Sequence, residues 1–458
     1  MMQHLATNHL EGSAERGTNR VRVRGMSRAL CFAAVWGALT LPIAVAGAQG
    51  TLSGLGFGYP VGGTSTRTAA TGGAFAEFDA LSPVNPASLG GYQRTLITAQ
   101  TEPEFRTLQF GNVKERTTAE RVPLLLLIFP LPRNVALSLS GSTFLDRSFT
   151  TVTTGSVMVE GKPIATNDRS DVRGSIGDLR AGLGWRVNRH VSVGIGGHLF
   201  TGDNVVARRR VFPDTLAFGS VDDSSRVTYY GMALSVGGEL QIAKGLAVQG
   251  SYRAGGSLES RIRDTVRTQG SVPDRAGLSL RYDGIAGSTF AIGVEKAAWS
   301  QMRGLGSELV QAHDATNIRA GAEVAGPKLR GVPVLLRVGY AKNELPFGAN
   351  SQKVKESRIT GGLGLPVARD LASVDISVQR ANRTMSGGAI KEGAWMRTGG
   401  RASAAPPAHR ARPCWTGCGS PALPAPVAGS RPRWRGRDSR QYLRNSRKCG
   451  DPSARAPR

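Results

Sequence analysis

The feature that most constrains this 458-residue chain is a period-two alternation of large apolar residues with small or polar ones. In residues 227–242, for example, Tyr230 and Leu234 fall on one face of a strand, whereas Gly231 and Ser235 fall on the other. Successive side chains of a β-strand point to opposite faces, so the pattern predicts strands with large apolar residues on one face and small or polar residues on the other. Because the alternation recurs along most of the chain, we predict an all-β fold.

The connections between these segments indicate how the strands are arranged. Short turns alternate with longer polar joins, which is the pattern of an outer-membrane barrel with tight turns on the periplasmic side. Counting segments between residues 92 and 396 gives about 14 strands, an even number as expected for a bacterial barrel. We therefore predict a transmembrane antiparallel β-barrel. The short turns are at residues 130–134, 187–190, 243–245, 283–287, 326–331 and 368–370, and the longer joins include 208–226 and 343–357.

The amino terminus has the pattern of an export signal. Arg22, Arg24 and Arg28 precede an apolar run at residues 29–46, and small residues follow at 46–48. We predict a cleaved signal peptide over residues 1–48, with 1–25 as an upstream extension because Met26 begins a signal of ordinary length. A membrane-anchoring helix is the alternative, since the run approaches the ~20 residues that a span requires.

Charge and cysteine content exclude several classes of protein. The net charge of +25 is concentrated at the carboxyl end, where residues 397–458 hold 14 basic and 2 acidic residues. No nucleic-acid-binding motif accompanies the charge, so we predict no nucleic-acid partner. The four cysteines, at positions 31, 414, 418 and 449, all lie outside residues 49–396. The body therefore cannot form a disulfide framework or a cysteine zinc site, and we predict no metal and no cofactor.

A short segment with helical potential, TAATGGAFAEFDALSPVNPASL at residues 68–89, lies between the predicted signal and the first strand. It resembles the amino-terminal hatch of the FadL/TodX-type family of outer-membrane transport proteins. Residues 293–302, 317–324 and 333–347 are similar to later strands of that family, and the resemblance covers residues 63–396. The hatch residues that match are Gly73, Ala74, Asp79, Asn85, Pro86, Ala87 and Leu89.

The resemblance implies a bacterial outer-membrane protein with a hatch at residues 49–91 and a barrel at residues 92–396. It implies passive uptake of long-chain fatty acids or other hydrophobic compounds through a lumen plugged by the hatch, with lateral exit into membrane lipid. A structural or secretion-associated barrel of the PorV type, which binds partner proteins, is the alternative. A general porin is a third possibility.

Arginines on the predicted inward face are candidate ligand contacts, because a guanidinium can hold a carboxylate through two hydrogen bonds. The alternative is that they pair with luminal carboxylates at positions 178, 283, 295, 323 and 375. No nucleophile-elbow or phosphate-loop motif is present, so we predict that the chain is not an enzyme. The candidate arginines are Arg180, Arg253, Arg281, Arg319 and Arg337.

The last part of the chain, residues 397–458, departs from the barrel pattern. Proline, arginine and alanine dominate and the alternation stops. We predict a disordered tail there, produced by a reading-frame shift near Arg397. A native disordered extension is the alternative.

Overall fold

The computed structural model describes residues 56–110, 113–213, 219–305, 312–329, 331–349, 352–367, 372–385 and 390–404. The predicted signal peptide and residues 405–458 of the predicted tail lie outside the described residues. Within the described part, the chain forms one antiparallel sheet with two short 3₁₀ turns and one short helix.

The helix α1 spans Thr66–Ala70, and the 3₁₀ turns span Pro86–Leu89 and Trp299–Leu305. Of the residues described, no helix is long and apolar enough to cross a membrane. The strands are β1 Tyr59–Pro60, β2 Leu96–Phe110, β3 Val113–Arg121, β4 Leu124–Leu131, β5 Val135–Asp146, β6 Phe149–Val159, β7 Lys162–Arg186, β8 Val191–Val211, β9 Val221–Ala243, β10 Leu246–Ile262, β11 Thr265–Ser271, β12 Arg275–Tyr282, β13 Ser288–Ala297, β14 Ala315–Leu329, β15 Val332–Ala349, β16 Gln352–Val367, β17 Ala372–Met385 and β18 Ile390–Ala404.

The sheet closes on itself, because β18 pairs with β2 from Ile390 opposite Phe110 to Ala404 opposite Leu96. Three wall strands are each formed by two consecutive segments. β3 and β4 both pair with β2, β5 and β6 both pair with β7, and β11 and β12 both pair with β10. With each of these counted once, the described wall is a closed barrel of 14 strands. The predicted fold class and strand number are therefore confirmed.

The two faces of the wall have the predicted composition. On β9, the side chain of Leu234 is 69% exposed, whereas the neighbouring Ser235 is 4% exposed and faces the interior. Large apolar residues are exposed in the same way on most other wall strands, including Ile195 and Ile292. A sheet that leaves so many large apolar side chains on its outside is matched to lipid rather than water.

The polar stretches predicted as long joins, residues 208–226 and 343–357, are mostly strand. The ends of β8 and β9 and of β15 and β16 extend into them. Cross-strand ion pairs hold these ends together, for example Arg210 with Asp168 at 2.7 Å. The prediction of long loops was wrong there because strands that rise above a membrane meet water on their outer side, and their sequence loses the apolar face that marks them.

The barrel also ends later than predicted. We placed its boundary at residue 396, but β18 continues to Ala404 and remains paired with both β17 and β2. Alternation continues with Thr398 and Ala402 buried and Arg397 and Arg401 exposed. Residues 397–404 are therefore strand rather than disordered tail. Their small and basic residues obscured the pattern, and the reading-frame shift stays a prediction.

Candidate functional site

Residues 56–91, hereafter the hatch segment, lie inside the barrel against the inward faces of its strands. At one end, β1 pairs with Leu145 and Asp146 of β5. α1 contacts β15 to β18, and the turn Pro86–Leu89 contacts β7, β8 and β9 on another side. The interior is therefore filled by chain from the same molecule.

Asp79 holds the hatch segment together. Its carboxylate, 3% exposed, accepts hydrogen bonds from Ser65 Oγ, from Thr68 Oγ1 at 3.0 Å and from Leu81 N at 3.2 Å. Ser82 Oγ donates to the same carboxylate at 3.3 Å. Ser65 also caps α1, because its hydroxyl accepts from Thr68 N at 3.0 Å. The acidic position that the resemblance identified thus closes the loop that follows α1.

The Asn-Pro-Ala box forms the turn at the other end of the segment. Asn85 Oδ1 accepts a hydrogen bond from Ala87 N at 2.9 Å, and Asn85 Nδ2 donates to Gly238 O of the wall at 3.4 Å. Pro86 begins the 3₁₀ turn, where its fixed φ and missing N–H are tolerated. Ala87 and Leu89 are buried. Asn85 therefore both shapes the turn and attaches it to β9.

A row of three wall glycines makes room for this box. Gly184, Gly194 and Gly237 lie directly opposite one another on β7, β8 and β9, and we call them the glycine row. A Cβ atom added at Gly194 would lie 2.3 Å from Pro86 C, and one at Gly237 would lie 1.9 Å from Asn85 Oδ1. A Cβ at Gly184 would lie 2.5 Å from Pro86 O. The box can approach the wall only because these side chains are absent.

The region around α1 is fixed to the opposite wall. Arg67 donates to both carboxylate oxygens of Glu323 on β14, at 2.9 and 2.6 Å. Thr71 packs where the wall has Gly321 and Gly339, and a Cβ atom at either glycine would lie within 2.3 Å of its backbone. The wall thus holds the hatch segment on two sides of the barrel. On one side it does so through the Arg67–Glu323 ion pair, and on both sides glycines of the wall leave room for the backbone of the segment.

Gly73 and Ala74 lie at the tight turn after α1. Gly73 has a φ of +85°, and a Cβ atom there would lie 2.8 Å from Cδ of Arg319. Ala74 is fully buried and packs with Phe75 and Ala291. A left-handed backbone so close to a wall side chain requires glycine.

A buried charge cluster surrounds Tyr59 in β1. Its hydroxyl accepts hydrogen bonds from Arg383 Nη2 at 2.8 Å and Arg358 Nη2 at 2.9 Å, and donates to Glu356 at 3.1 Å. Burial raises the pKa of the Tyr59 phenol, so the hydroxyl stays protonated and can donate. Arg383, 1% exposed, also contacts Glu104 at 2.9 Å. The cluster comprises Tyr59, Glu104, Arg106, Arg121, Glu356, Arg358, Arg383 and Glu392.

Three of the five candidate arginines contact carboxylates of the wall. Their side chains therefore lie in the ion pairs that were the alternative to ligand binding. The pairs are Arg281–Glu239 and Arg281–Asp283, both at 3.5 Å, Arg319–Glu295 at 3.0 Å, Arg337–Glu323 at 2.6 Å and Arg337–Asp375.

Arg180 and Arg253 differ from the other three. Among the described residues, neither forms an ion pair, which is what separates them from Arg281, Arg319 and Arg337. The buried Nε of each has no hydrogen-bond partner, a property that Arg281 shares. Arg253 Nη2 donates to Pro273 O at 3.1 Å, and its guanidinium lies 5.4 Å from the ring centroid of Phe144 and 5.6 Å from that of Phe200. Two candidate arginines that form no ion pair with the described residues thus face the interior, and Asp178 lies close enough to act on both through its charge.

Both arginines line a cavity of about 220 Å³ between the hatch segment and the wall. Aromatic side chains line another part of it, where Phe144 and Trp299 stack with centroids 5.4 Å apart. His198 and Ser235 also line the cavity. It therefore combines an apolar part with a cationic part.

His198 is hydrogen-bonded through both ring nitrogens, although no sequence pattern indicated a partner. Nδ1 lies 3.0 Å from both carboxylate oxygens of Asp178, and Nε2 lies 3.0 Å from Ser235 Oγ. Asp178, predicted as an alternative partner for arginine, is thus held by a histidine. In the described part of the chain, no group of three or more possible metal ligands occurs.

The wall is interrupted beside the hatch segment. Val122 and Pro123 separate β3 from β4, and the pairing of β4 with β5 ends at Leu124 opposite Ser142. Beyond that point, β1 of the hatch segment takes the free edge of β5 at Asp146. The hatch segment therefore completes the ladder of hydrogen bonds where a wall strand leaves it.

The fold and its contents define a class, a closed 14-stranded antiparallel barrel that contains its own amino-terminal segment. Among solved structures, the chain is similar to a Pseudomonas aeruginosa FadL homologue, at 10% sequence identity and a TM-score of 0.52, over 76% of this chain and 99% of that one. It is also similar to a deletion mutant of the TodX monoaromatic hydrocarbon channel, at 11% identity and a TM-score of 0.50, over 75% and 98%. The FadL-type fold that the resemblance implied is thereby confirmed.

Comparison at the level of sequence gave no match. No protein-family model matches the chain. No curated protein matches it either.

Proposed function

We propose that this chain is a passive outer-membrane transporter for hydrophobic compounds that carry an acid group, such as long-chain fatty acids. The observation that carries the proposal is a single cavity that is lined both by Arg180 and Arg253, which form no ion pair with the described residues, and by the stacked rings of Phe144 and Trp299. The proposal includes export by a cleaved signal peptide and a lumen that the hatch segment plugs.

The chemistry of the cavity supports an amphipathic ligand. A buried cation that forms no ion pair is costly, and a ligand carboxylate would relieve that cost through charge-assisted hydrogen bonds. An apolar chain or ring would gain by leaving water for the aromatic surface. The other candidate arginines, such as Arg319 and Arg337, already have this compensation from wall carboxylates.

The interruption of the wall supports a sideways release. The hatch segment completes the ladder beside Pro123, so its movement would expose a free strand edge and an opening at that point. On the outside, a concavity of about 1040 Å³ lies over the neighbouring strands, and apolar side chains such as Leu125, Leu139 and Leu234 line it. A hydrophobic ligand that leaves by this route stays against apolar surface instead of crossing water.

The first test is ligand retention. In the double variant Arg180→Gln with Arg253→Gln, we expect affinity for a fluorescent fatty-acid analogue to fall at least tenfold, since one charge-assisted hydrogen bond contributes roughly 1.5–3 kcal/mol. The matched control is Arg319→Gln, which removes a luminal arginine that is already paired with Glu295 and should change affinity little. Binding is measured on protein purified in detergent, and co-purified acids are identified by mass spectrometry.

Two outcomes would contradict the proposal. One is an equal loss of affinity in Arg319→Gln, which would show that overall luminal charge matters and not the unpaired guanidiniums. The other is wild-type protein without bound acid together with normal uptake of fatty acids after gene deletion. That result would favour the PorV-type alternative, in which the barrel binds partner proteins.

A further inference from the structure

We propose that Ser235, His198 and Asp178 form a nucleophile, base and orienting acid that hydrolyse carboxylic esters inside the barrel. Ser235 Oγ lies 3.0 Å from His198 Nε2, and His198 Nδ1 lies 3.0 Å from the carboxylate of Asp178. These are the distances and the order that nucleophilic catalysis by serine requires, and the arrangement recurs on unrelated folds. The activity is distinct from transport and needs only that an ester reach the cavity.

The wall positions the three side chains through strand register. Asp178, His198 and Ser235 lie on the adjacent strands β7, β8 and β9, and all point inward. His198 is 8% exposed and Ser235 is 4% exposed, so both are shielded from bulk water. His198 also stacks on Phe200, with the ring planes 6° apart. The imidazole is therefore held in one orientation between its two partners.

The cavity gives a carbonyl access to the serine, because Ser235, His198 and Arg180 all line it. Ser235 and Arg180 are close neighbours, because the missing Cβ position of Gly196 lies 2.7 Å from Ser235 Oγ and 3.1 Å from Arg180 Nε. The Nε–H of Arg180 is buried and has no partner among the described residues, and the side chain is only 5% exposed. A carbonyl bound in the cavity beside Ser235 would present its carbon to the nucleophile and its oxygen to the Arg180 guanidinium, which are the two contacts that an acyl-transfer site requires.

The reaction would proceed in two steps, acylation of Ser235 and hydrolysis of the acyl group. Ser235 Oγ attacks the carbonyl carbon, its proton passes to His198 Nε2, and the oxyanion forms beside Arg180. The carbonyl then reforms, the bond to the alcohol oxygen breaks, and His198 returns the proton to that oxygen. Water attacks the acyl group on Ser235 and gives a proton to His198. Cleavage of the bond between Oγ and carbon then returns the proton to Ser235 and releases the acid.

The cavity also indicates the class of ester. Phe144 and Trp299 provide an apolar surface for the acyl group, so the acid part should be hydrophobic. The carboxylate that hydrolysis releases would lie beside Arg180 and Arg253, the two candidate arginines that form no ion pair with the described residues and whose buried Nε atoms have no hydrogen-bond partner. The predicted substrates are therefore small esters of hydrophobic acids, aromatic or aliphatic.

The test uses the full chain purified in detergent, with a fluorophosphonate probe and p-nitrophenyl butyrate. We expect a covalent adduct on the peptide that contains Ser235, and hydrolysis that falls about 10⁴- to 10⁶-fold in Ser235→Ala, the usual range of losses when a member of such a triad is removed. Ser279→Ala is the matched control, because Ser279 is also a buried inward serine of the wall but has no place in the proposed chemistry. It should retain wild-type hydrolysis.

Two further variants separate chemistry from structure. His198→Gln keeps a hydrogen-bonding side chain but lacks the base. Gly196→Ala places a methyl carbon 2.7 Å from Ser235 Oγ, so the hydroxyl must move away from its position beside His198. Both should slow labelling and hydrolysis at least tenfold while the heat-modifiable mobility of the folded barrel is preserved. The proposal is overturned if folded wild-type protein carries no adduct on Ser235, or if Ser235→Ala hydrolyses the ester as fast as Ser279→Ala. Either result would leave retention of fatty acids untouched.

Discussion

Replacing Arg383 by methionine should destabilise the barrel strongly, by roughly 3–5 kcal/mol of unfolding free energy. Arg383 is 1% exposed and contacts Glu104, Glu356 and Glu392 as well as the hydroxyl of Tyr59. Methionine retains the apolar stem but leaves these carboxylates with fewer cations. Removing one partner from a buried charge network costs more than the network contributes, because the remaining charges stay buried.

The same change should loosen the hatch segment. The guanidinium of Arg383 lies 4.3 Å from the ring centroid of Tyr59 and donates to its hydroxyl, so it fixes β1 from two directions. Limited proteolysis should therefore cut residues 56–91 faster in Arg383→Met than in wild type. Stability is measured by urea unfolding in lipid vesicles, followed by tryptophan fluorescence.

Arg169→Met is the matched control for this experiment. Arg169 pairs with Asp171 at 2.9 Å, but its side chain is 52% exposed and lies near the start of β7. Exposed pairs contribute little because water and salt screen them. Equal unfolding midpoints for the two variants would contradict the view that the charge cluster, and not charge in general, stabilises the barrel.

The sequence was sufficient to predict the wall because each strand carries its own two-faced pattern. Tyr230 and Leu234 alternate with Gly231 and Ser235, and the structure places the two sets on opposite faces. Pattern failed where a strand leaves the lipid, as at residues 208–226, and where its residues are small and basic, as at 397–404. In both places the backbone forms the hydrogen bonds of a strand, but the sequence lacks the alternating large apolar residues that would have indicated one. The short turn predicted at residues 326–331 was also too long, because β14 continues to Leu329.

The interior could not be predicted, because its contacts join residues that are distant in sequence. Tyr59 and Arg383 are separated by 324 positions, and His198 and Ser235 by 37. Which residues meet depends on the register of every strand between them. The sequence therefore indicated that Arg180 and Arg337 face the lumen, but not that Arg337 is paired with carboxylates while Arg180 has no such pair among the described residues.

The glycine row could not be recognised from the sequence alone, because its three residues become neighbours only in the folded barrel. Glycines at alternate positions, as at Gly182 and Gly184 or at Gly194 and Gly196, were consistent with a narrow interior. Register adds that Gly184, Gly194 and Gly237 are direct neighbours. A narrow lumen would explain small residues in general, whereas three adjacent glycines beneath Pro86 indicate a space that accommodates the turn beginning at that residue.

A second large effect should follow from filling the space that the glycine row leaves for the turn. In Gly194→Ala, the new methyl group would lie 2.3 Å from Pro86 C and 2.5 Å from Ala87 N, so the backbone of the turn must shift. Overpacking of this kind costs roughly 1–3 kcal/mol. It would raise the fraction of molecules in which the hatch segment is displaced from the glycine row about five- to 150-fold. Because we propose that the segment plugs the lumen, we expect conductance in planar bilayers to rise by a similar factor until the open state dominates.

Gly197→Ala is a close control, because Gly197 lies on the same strand and a Cβ atom there would meet nothing within 4 Å. It adds the same methyl group and the same restriction on the unfolded chain, but on the side of the wall away from the box. Deleting residues 63–91 gives the upper limit of conductance for an unplugged barrel. If Gly194→Ala conducts no more than Gly197→Ala while the deletion conducts strongly, the segment is a plug that does not depend on the glycine row. If the deletion also fails to conduct, residues 63–91 are not the plug, and the lumen must be closed by the wall side chains themselves, including the arginines and glutamates of the buried charge cluster.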